Sequence, residues 1–495
     1  MRAIGLAIVA LALFAPSASA ATIEIEDVFC GCDGSSGDED THTIIVRAEP
    51  GELNRISVHQ EPGGVVIEDL GAPLTGECEP ASPGRRICRG FSNTGIVVHL
   101  SDGDDELNLR DLGGSVDGGP GDDDIVVAGP PSQLQGGAGA DLLDGRLAPG
   151  SAISYRDHTA GVTVRLNALA DDGSPGEGDN VLGSLGSIEG GSGDDSLESG
   201  ADSASLAGGA GNDRLVGSPE GESLLGQEGD DDIAAGGGND SLAGGAGRDV
   251  LSGGAGHDEA SYADAVTPLR LSIGDGPNDG ATGEGDDIQA DIEDLIGGPR
   301  ADVMIGTAGA NRLVGLGGAD RMFGGNGPDA LLGAGDGDRL DAGPGPDSVI
   351  AGAGDRLLLD DGDRDRTDCR SSAPVIEADS RDTFKRCAPW VRLRSRSHPR
   401  PGRPVRIVVI CPRLSAVPCR GHFFVRMIAR QRSPRQRSPR RLSRTVHFGP
   451  IQHGRRAVLT VGLSRALDPS FLIQMIGVAV RRGDGRSTTR ISGGF

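Results

Sequence analysis

A nine-residue phrase constrains this chain more than any other feature. It reads most cleanly as Gly244-Gly245-Ala246-Gly247-Arg248-Asp249-Val250-Leu251-Ser252, and variants of it fill most of residues 100–358. The template is G-G-x-G-x-D-x-U-x, with U a large aliphatic residue. A short period held over many copies marks a solenoid, in which each repeat buries its apolar face against the next. The first six residues of the phrase are turn formers and the last three a short strand. The expected fold class is all-β, with a parallel β-roll at its centre.

In a roll with two strands per coil, consecutive nonapeptides turn at opposite edges, so residues 18 apart stack on one edge. The repeats fall into three registers. The first has aliphatics at Leu107, Val116, Ile125, Leu134 and Leu143. Its Asp place is filled on one edge only, by Asp105, Asp123 and Asp141, with Gly114 and Ser132 in the alternate places. The second has Leu197, Leu206, Leu215, Leu224, Ile233, Leu242 and Leu251, and closes at Ala260. One of its edges carries Asp195, Asp213, Asp231 and Asp249; the other begins weakly with Ala204 and Glu222, then has Asp240 and Asp258. The third has Met304, Leu313, Met322, Leu331, Leu340, Val349 and Leu358. Its edges carry Asp302, Asp320 and Asp338, and then Asn311, Asp329 and Asp347.

Those residue types at that spacing suit Ca²⁺. Glycine lets the backbone take positive φ and crowd an ion, which exposes peptide carbonyls as hard ligands. Ca²⁺ takes about six to eight oxygens at roughly 2.3–2.6 Å. One turn cannot supply that many. Strands stacked at about 4.8 Å would bring Asp213 and Asp231 to either side of one ion. Mg²⁺ fits poorly, because it demands tighter octahedral geometry. Without the ion the stacked carboxylates repel and the glycine-rich turns lose much entropy on ordering, so folding is expected to depend on Ca²⁺.

On these residues, 100–358 resembles the haemolysin-type Ca²⁺-binding repeats of the RTX family. The resemblance implies a right-handed parallel β-roll whose turns bind Ca²⁺ through Asp carboxylates and Gly carbonyls. Departures accompany it. Arg300 replaces a ligand-loop Gly, and Ala204 and Asn311 replace Asp. Family members commonly leave the cell by a route using a C-terminal signal. This chain instead opens on a secretory-type leader at 1–20, with Arg2, an apolar run at 3–14 and a small-residue cleavage site at Ala18-Ser19-Ala20. No pore-forming apolar domain and no appended protease or lipase motif is recognised. No later run reaches the apolar length of a membrane span.

Two longer segments interrupt the repeats and resemble each other. Ser154-Tyr155-Arg156-Asp157, Gly176-Glu177-Gly178-Asp179 and Ile188-Glu189 in the first answer to Ser261-Tyr262-Ala263-Asp264, Gly283-Glu284-Gly285-Asp286 and Ile292-Glu293 in the second. They read as enlarged rungs of one roll, about 151–189 and 260–296. The pairs Asp157/Asp264 and Asp179/Asp286 are extra ligands or hydrogen-bonded turn residues. The stretch Asp361-Gly362-Asp363-Arg364-Asp365 is read as a degenerate last repeat rather than an EF-hand loop, since Arg366 and Ser372 stand where that loop needs Gly and Glu.

Charge separates the remainder. Residues 388–495 hold 23 Arg against two acids, Asp468 and Asp484, a balance of +21 that leaves −47 over residues 1–387. Bound divalent cations would relieve that self-repulsion. The eight cysteines of an exported chain are expected as disulfides. Local pairing gives Cys78–Cys88, Cys369–Cys387 and Cys411–Cys419, leaving Cys30 and Cys32, whose bridge would be strained. The expected layout is a leader (1–20), a small N-terminal antiparallel β domain (21–99), the Ca²⁺-binding roll (100–368), a disulfide-stapled cap (369–388) and a basic C-terminal β-sandwich (389–495).

The function expected is a secreted, non-catalytic Ca²⁺-binding repeat protein whose roll is a spacer. An adhesin-like alternative has residues 389–495 contact a cell surface or polyanion; export argues against nucleic acid as that polyanion. A secreted hydrolase with its site in 21–100 is a further alternative, but His42, His59 and His99 lack an evident nucleophile or carboxylate pattern.

Overall fold

The computed structural model describes residues 22–28, then 41–385 except 49, 51–52, 63, 71–73, 77, 83, 90–94, 201–203, 336, 371–373 and 379–381, and seven strands between 390 and 494. The expected leader, Cys30, Cys32, Cys387 and Cys411 lie outside the described residues. Every regular element among the described residues is a strand. Among the described residues no helix is long and apolar enough to cross a membrane. The chain forms two compact units that divide after Gly211.

The first unit is built from parallel stacks. Gly95–His99, Gly114–Pro120, Gln133–Ala138, Ser151–Ser154, Leu185–Glu189 and Ser205–Ala210 follow one another in one sheet. Arg55–Glu61, Glu106–Arg110, Asp124–Ala128, Leu142–Leu147 and Asn180–Leu182 follow one another in a second. The register is the 18-residue period itself: Leu107 lies opposite Ile125, which lies opposite Leu143. Val116 lies opposite Leu134. All five side chains are buried, because alternation turns the eighth residue of each phrase inward and its neighbours outward.

The N-terminal segment departs from the expected antiparallel domain. Thr41–Arg47 pairs in parallel with Gly95–His99, and Arg55–Glu61 in parallel with Glu106–Arg110. Val46, Ile56, Val58, Ile96 and Val98 are buried, so these strands extend the roll's inward ladders upstream of residue 100. Antiparallel pairing is confined to strands added beside them: Thr22–Val28 on Thr41–Arg47, and Gly64–Asp69 between Arg55–Glu61 and Arg85–Arg89. The Cys78–Cys88 disulfide ties this layer, as expected.

The second unit repeats the plan. Ser223–Glu228, Ser241–Ala246, Glu259–Ser261, Asp294–Ile296, Arg312–Val314, Ala330–Leu332, Ser348–Ile350 and Arg366–Asp368 form one parallel succession. Arg214–Val216, Asp232–Ala234, Val250–Ser252 and Asp287–Ile288 form another. Leu269–Ser272, Val303–Ile305, Arg321–Phe323, Arg339–Asp341 and Arg356–Leu359 form a third. Ala260 does not end a stack; it lies between Leu242 and Leu295. The second enlarged rung therefore stays within the coil and widens it, as Ile288 opposite Leu251 also shows.

One expectation fails near the end of the repeats. Leu357, not Leu358, takes the inward place beside Leu340; Leu357 is fully buried. The repeat holding it is one residue short in its turn, so a strict nine-residue count runs one place too far. In the segment expected as a cap, Val375–Ala378 and Thr383–Lys385 add further parallel strands to the two stacks. Cys369 is disulfide-bonded.

Beyond them, Trp390–Leu393, Val405–Ile410 and Arg456–Val461 form one antiparallel sheet. Arg441–Ile451, Cys419–Ala429, Phe471–Arg482 and Gly485–Gly494 form a second.

Candidate metal centre

The turn Asp residues form hydrogen-bonded ladders along the edges. In each step the backbone N–H of one Asp donates to Oδ1 of the Asp in the next coil. Asp105 N–H donates to Asp123 Oδ1 at 2.8 Å and Asp123 N–H to Asp141 Oδ1 at 2.8 Å. In the second unit the steps run Asp213–Asp231–Asp249, Asp240–Asp258, Asp302–Asp320–Asp338 and Asp329–Asp347, at 2.8–3.0 Å. Every one of these side chains is buried.

In most of these carboxylates Oδ1 is thereby satisfied while Oδ2 is not. Oδ2 of Asp105, Asp123, Asp141, Asp231, Asp240, Asp249, Asp258, Asp320, Asp329 and Asp347 is buried with no hydrogen-bond partner among the described residues. In seven of these phrases, those of Asp123, Asp141, Asp231, Asp249, Asp258, Asp320 and Asp329, the oxygen turns back over the first glycine; Leu100, Ala235 and Ala342 stand there in the other three. A Cβ built on Gly226 would lie 2.1 Å from Asp231 Oδ2 and 2.4 Å from the carbonyl oxygen of Gly244 in the next coil. On Gly118 it would meet Gly136 O at 2.3 Å and Asp123 Oδ2 at 2.5 Å. At Gly226 and Gly118 a Cβ is excluded because a carboxylate oxygen and a stacked peptide oxygen already share the space. Two acceptors crowded together with no donor between them are a poor arrangement for a protein alone.

The electrostatics agree. Burial pushes the Asp123, Asp141, Asp231, Asp249, Asp320 and Asp329 carboxyls up to about 7, and neighbouring carboxylates add to the rise. Burial likewise pushes Asp105, Asp240 and Asp347 up to about 6.

Two expected ligands differ from the rest. Asp195 accepts from Val162 N–H and, through Oδ2, from Gly191 N–H at 2.7 Å. Asp302 accepts from Leu269 N–H and, through Oδ2, from Gly298 N–H at 2.8 Å. Both stand where regular repeats resume after an enlarged rung, and both spend their second oxygen on the backbone.

Several ladder members lie outside the Asp set expected as ligands. Glu222 N–H donates to Asp240 Oδ1 at 2.8 Å, and Glu222 Oε1 is buried and unpartnered. Asp355 accepts from Asp338 N–H and Asp365 from Asp347 N–H, at 3.1 and 3.0 Å. Asp179 and Asp286 continue the columns across the enlarged rungs, accepting from Asp141 N–H and Asp249 N–H. Their spacing of 38 and 37 residues hides them from an 18-residue period. Here Oδ2 does have a donor: Tyr155 Oη reaches Asp179 Oδ2 at 3.0 Å, and Tyr262 Oη reaches Asp286 Oδ2 at 2.9 Å. Asp157, the other recurring acid of the first rung, pairs with His158, whose ring nitrogens lie 3.1 Å from Asp157 Oδ1 and 3.2 Å from Glu177 Oε2. Hydrogen bonding to Asp157 is the main cause that raises His158 to about 8.

On the first unit's other edge the ladder is neutral. Gly114 N–H donates to Ser132 Oγ and Ser132 N–H to Ser151 Oγ. That edge carries no carboxylate column, as the alternate spacing of Asp105, Asp123 and Asp141 implied.

No curated protein matches the chain. The RTX calcium-binding nonapeptide repeat family matches in four copies, over residues 189–219, 225–260, 296–331 and 332–355. The intervals between copies include the second enlarged rung, and the matches do not extend to residues 100–151. The repeats of residues 189–355 are therefore RTX calcium-binding nonapeptide repeats.

Proposed function

We propose that this is a secreted, non-catalytic protein whose right-handed β-roll folds on Ca²⁺ and serves as a stiff spacer or surface scaffold. The observation that carries the reading is the column of buried, unpartnered Oδ2 atoms facing stacked carbonyl oxygens. An uncompensated buried carboxylate costs several kcal/mol, and a hard cation that takes six to eight oxygens removes that cost at many turns together. Oxygen is the only donor type at these turns, which favours Ca²⁺ over softer metals.

The ligands proposed are Asp105, Asp123, Asp141, Asp213, Asp231, Asp240, Asp249, Asp258, Asp320, Asp329, Asp338 and Asp347. Asp195 and Asp302 contribute to the ladder more than to the ion, since both of their oxygens accept backbone hydrogen bonds. Equilibrium dialysis of the full chain against Ca²⁺, with Mg²⁺ in excess, tests this reading. Retention of several Ca²⁺ per chain is expected; retention of none overturns it.

A second reading rests on the 23 Arg of residues 388–495. They suit an acidic surface polymer, with the roll holding the basic segment away from its point of attachment. Salt-sensitive binding of the full chain to acidic polysaccharide, lost at about 1 M salt where screening is short-ranged, is the expected result. Binding that salt leaves unchanged would exclude it.

A further inference from the structure

The repeat 360–368 departs from the phrase at four places, with Asp360, Asp361 and Asp363 where the template has glycine and Thr367 where it has a large aliphatic residue. Where most phrases have glycine second, it has Asp361, and its sixth residue is Asp365. One carboxylate oxygen from each of Asp347, Asp361 and Asp365 lies within 4.8 Å of the other two. Among the described residues no other group of three His, Cys, Asp or Glu side chains comes together in this way.

Acidic residues that merely face water do not make a site, and these are placed differently. Asp347 and Asp365 are 1% and 0% exposed, and Oδ2 of each is buried without a hydrogen-bond partner. Their Oδ1 atoms are already engaged, by Asp329 N–H and Asp347 N–H respectively. Asp361 is held by its own turn: Oδ1 accepts from Asp363 N–H at 2.8 Å, and Oδ2 from Gly345 N–H at 3.3 Å. That second bond ties Asp361 to the turn that carries Asp347.

We propose that Asp347, Asp361 and Asp365 form a distinct three-carboxylate cation site at the C-terminal end of the roll, tighter than the two-carboxylate turns of the regular repeats. The proposal rests on the calcium reading above and adds a residue and a rank order to it. A regular turn pair offers two carboxylates with peptide oxygens; this turn adds a third anionic oxygen donor. Affinity for Ca²⁺ rises with the number of charged ligands. A trivalent lanthanide, similar to Ca²⁺ in size and higher in charge, gains more from the extra carboxylate. The site should therefore fill first and empty last.

The test is a Tb³⁺ and Ca²⁺ titration of the full chain by calorimetry, comparing wild type with Asp361→Asn and Asp363→Asn. Asp363 belongs to the same turn and its substitution removes the same charge, but it is not one of the three. Wild type should show one class of a single cation tighter than the remainder. Asp361→Asn should weaken that class about tenfold or more, through loss of one anionic ligand, while leaving the remaining classes and the Ca²⁺-saturated circular dichroism unchanged. Asp363→Asn should leave the tight class in place. An unchanged tight class in Asp361→Asn, or equal losses in both variants, overturns the proposal while sparing the calcium reading. Absence of all Ca²⁺ binding in wild type overturns both.

Discussion

Tyr262 Oη donates to Asp286 Oδ2 at 2.9 Å, deep inside the second enlarged rung. Asp286 stands in the same column as Asp231 and Asp249, yet its second oxygen has a donor and theirs do not. Tyr155 does the same for Asp179 in the first unit. These are the only two tyrosines in the chain. The hydroxyl occupies the place where the regular turns leave a carboxylate oxygen bare, so the enlarged rungs satisfy their ladder residue without an ion.

Replacing Tyr262 by Phe removes that donor and leaves Asp286 Oδ2 buried and unpartnered. The chelated protein should lose on the order of 1–3 kcal/mol in urea denaturation. The loss should shrink in saturating Ca²⁺, because a freed oxygen can then join an ion. An equal loss in both conditions would mean that the hydroxyl only fills space.

Asp231→Asn should reverse its sign with the metal. In chelator above pH 7 the amide removes a buried charge and can donate to the Gly244 carbonyl oxygen, which crowds the same space. Stability should rise by on the order of 1 kcal/mol, equivalent to about one pH unit of proton linkage. In Ca²⁺ the same change removes an anionic ligand and should weaken binding about tenfold. Paired urea melts with and without Ca²⁺ measure both arms. Destabilisation in chelator would contradict the account.

Acid should stabilise the metal-free roll. The Asp123, Asp231, Asp249 and Asp320 carboxyls are pushed up to about 7 in the folded chain, against an ordinary value of 3.8 when unfolded. The folded state therefore binds more protons between those values. Their contribution is fully present below about pH 4 and is lost as pH rises through about 7. Circular dichroism in chelator should show β signal growing as pH falls from 8 to about 4.5, and Ca²⁺ binding near neutral pH should release protons. A chelated chain that loses structure over that range would refute this.

Backbone strain is unevenly spread. Gln227 has φ of 85° in the second place of its phrase, where Gly245 has 109° in the next coil. Gln227→Gly should stabilise the second unit by about 1 kcal/mol, the usual penalty of a side chain in that region. Gly245→Ala should do the reverse and by more, since its Cβ would lie 2.0 Å from the Gln227 carbonyl oxygen. Thermal melts in Ca²⁺ should rank Gln227→Gly above wild type and Gly245→Ala below it; the opposite order would remove the strain argument.

The regular part of this architecture was legible because one period sets both chemistry and packing. The spacing that places Leu107 beside Ile125 and Leu143 also places Asp105 beside Asp123 and Asp141. What stayed hidden lies where the period breaks. Asp355 and Leu357 follow a turn one residue short, and a fixed count reaches Leu358 instead. Asp179 and Asp286 were visible as a recurring pair, but a sequence does not say which backbone N–H a carboxylate will meet across a loop. Thr41–Arg47 and Arg55–Glu61 lack the glycine phrase, so nothing in their spacing announced parallel pairing with the roll.

The most direct measurement is a Ca²⁺ titration of the full chain by far-UV circular dichroism, with Mg²⁺ as the control. The account predicts a cooperative gain of β signal with Ca²⁺ and little with Mg²⁺. A chain equally structured in chelator at pH 8 and indifferent to added Ca²⁺ would contradict the claim that bound cations satisfy the buried carboxylate columns.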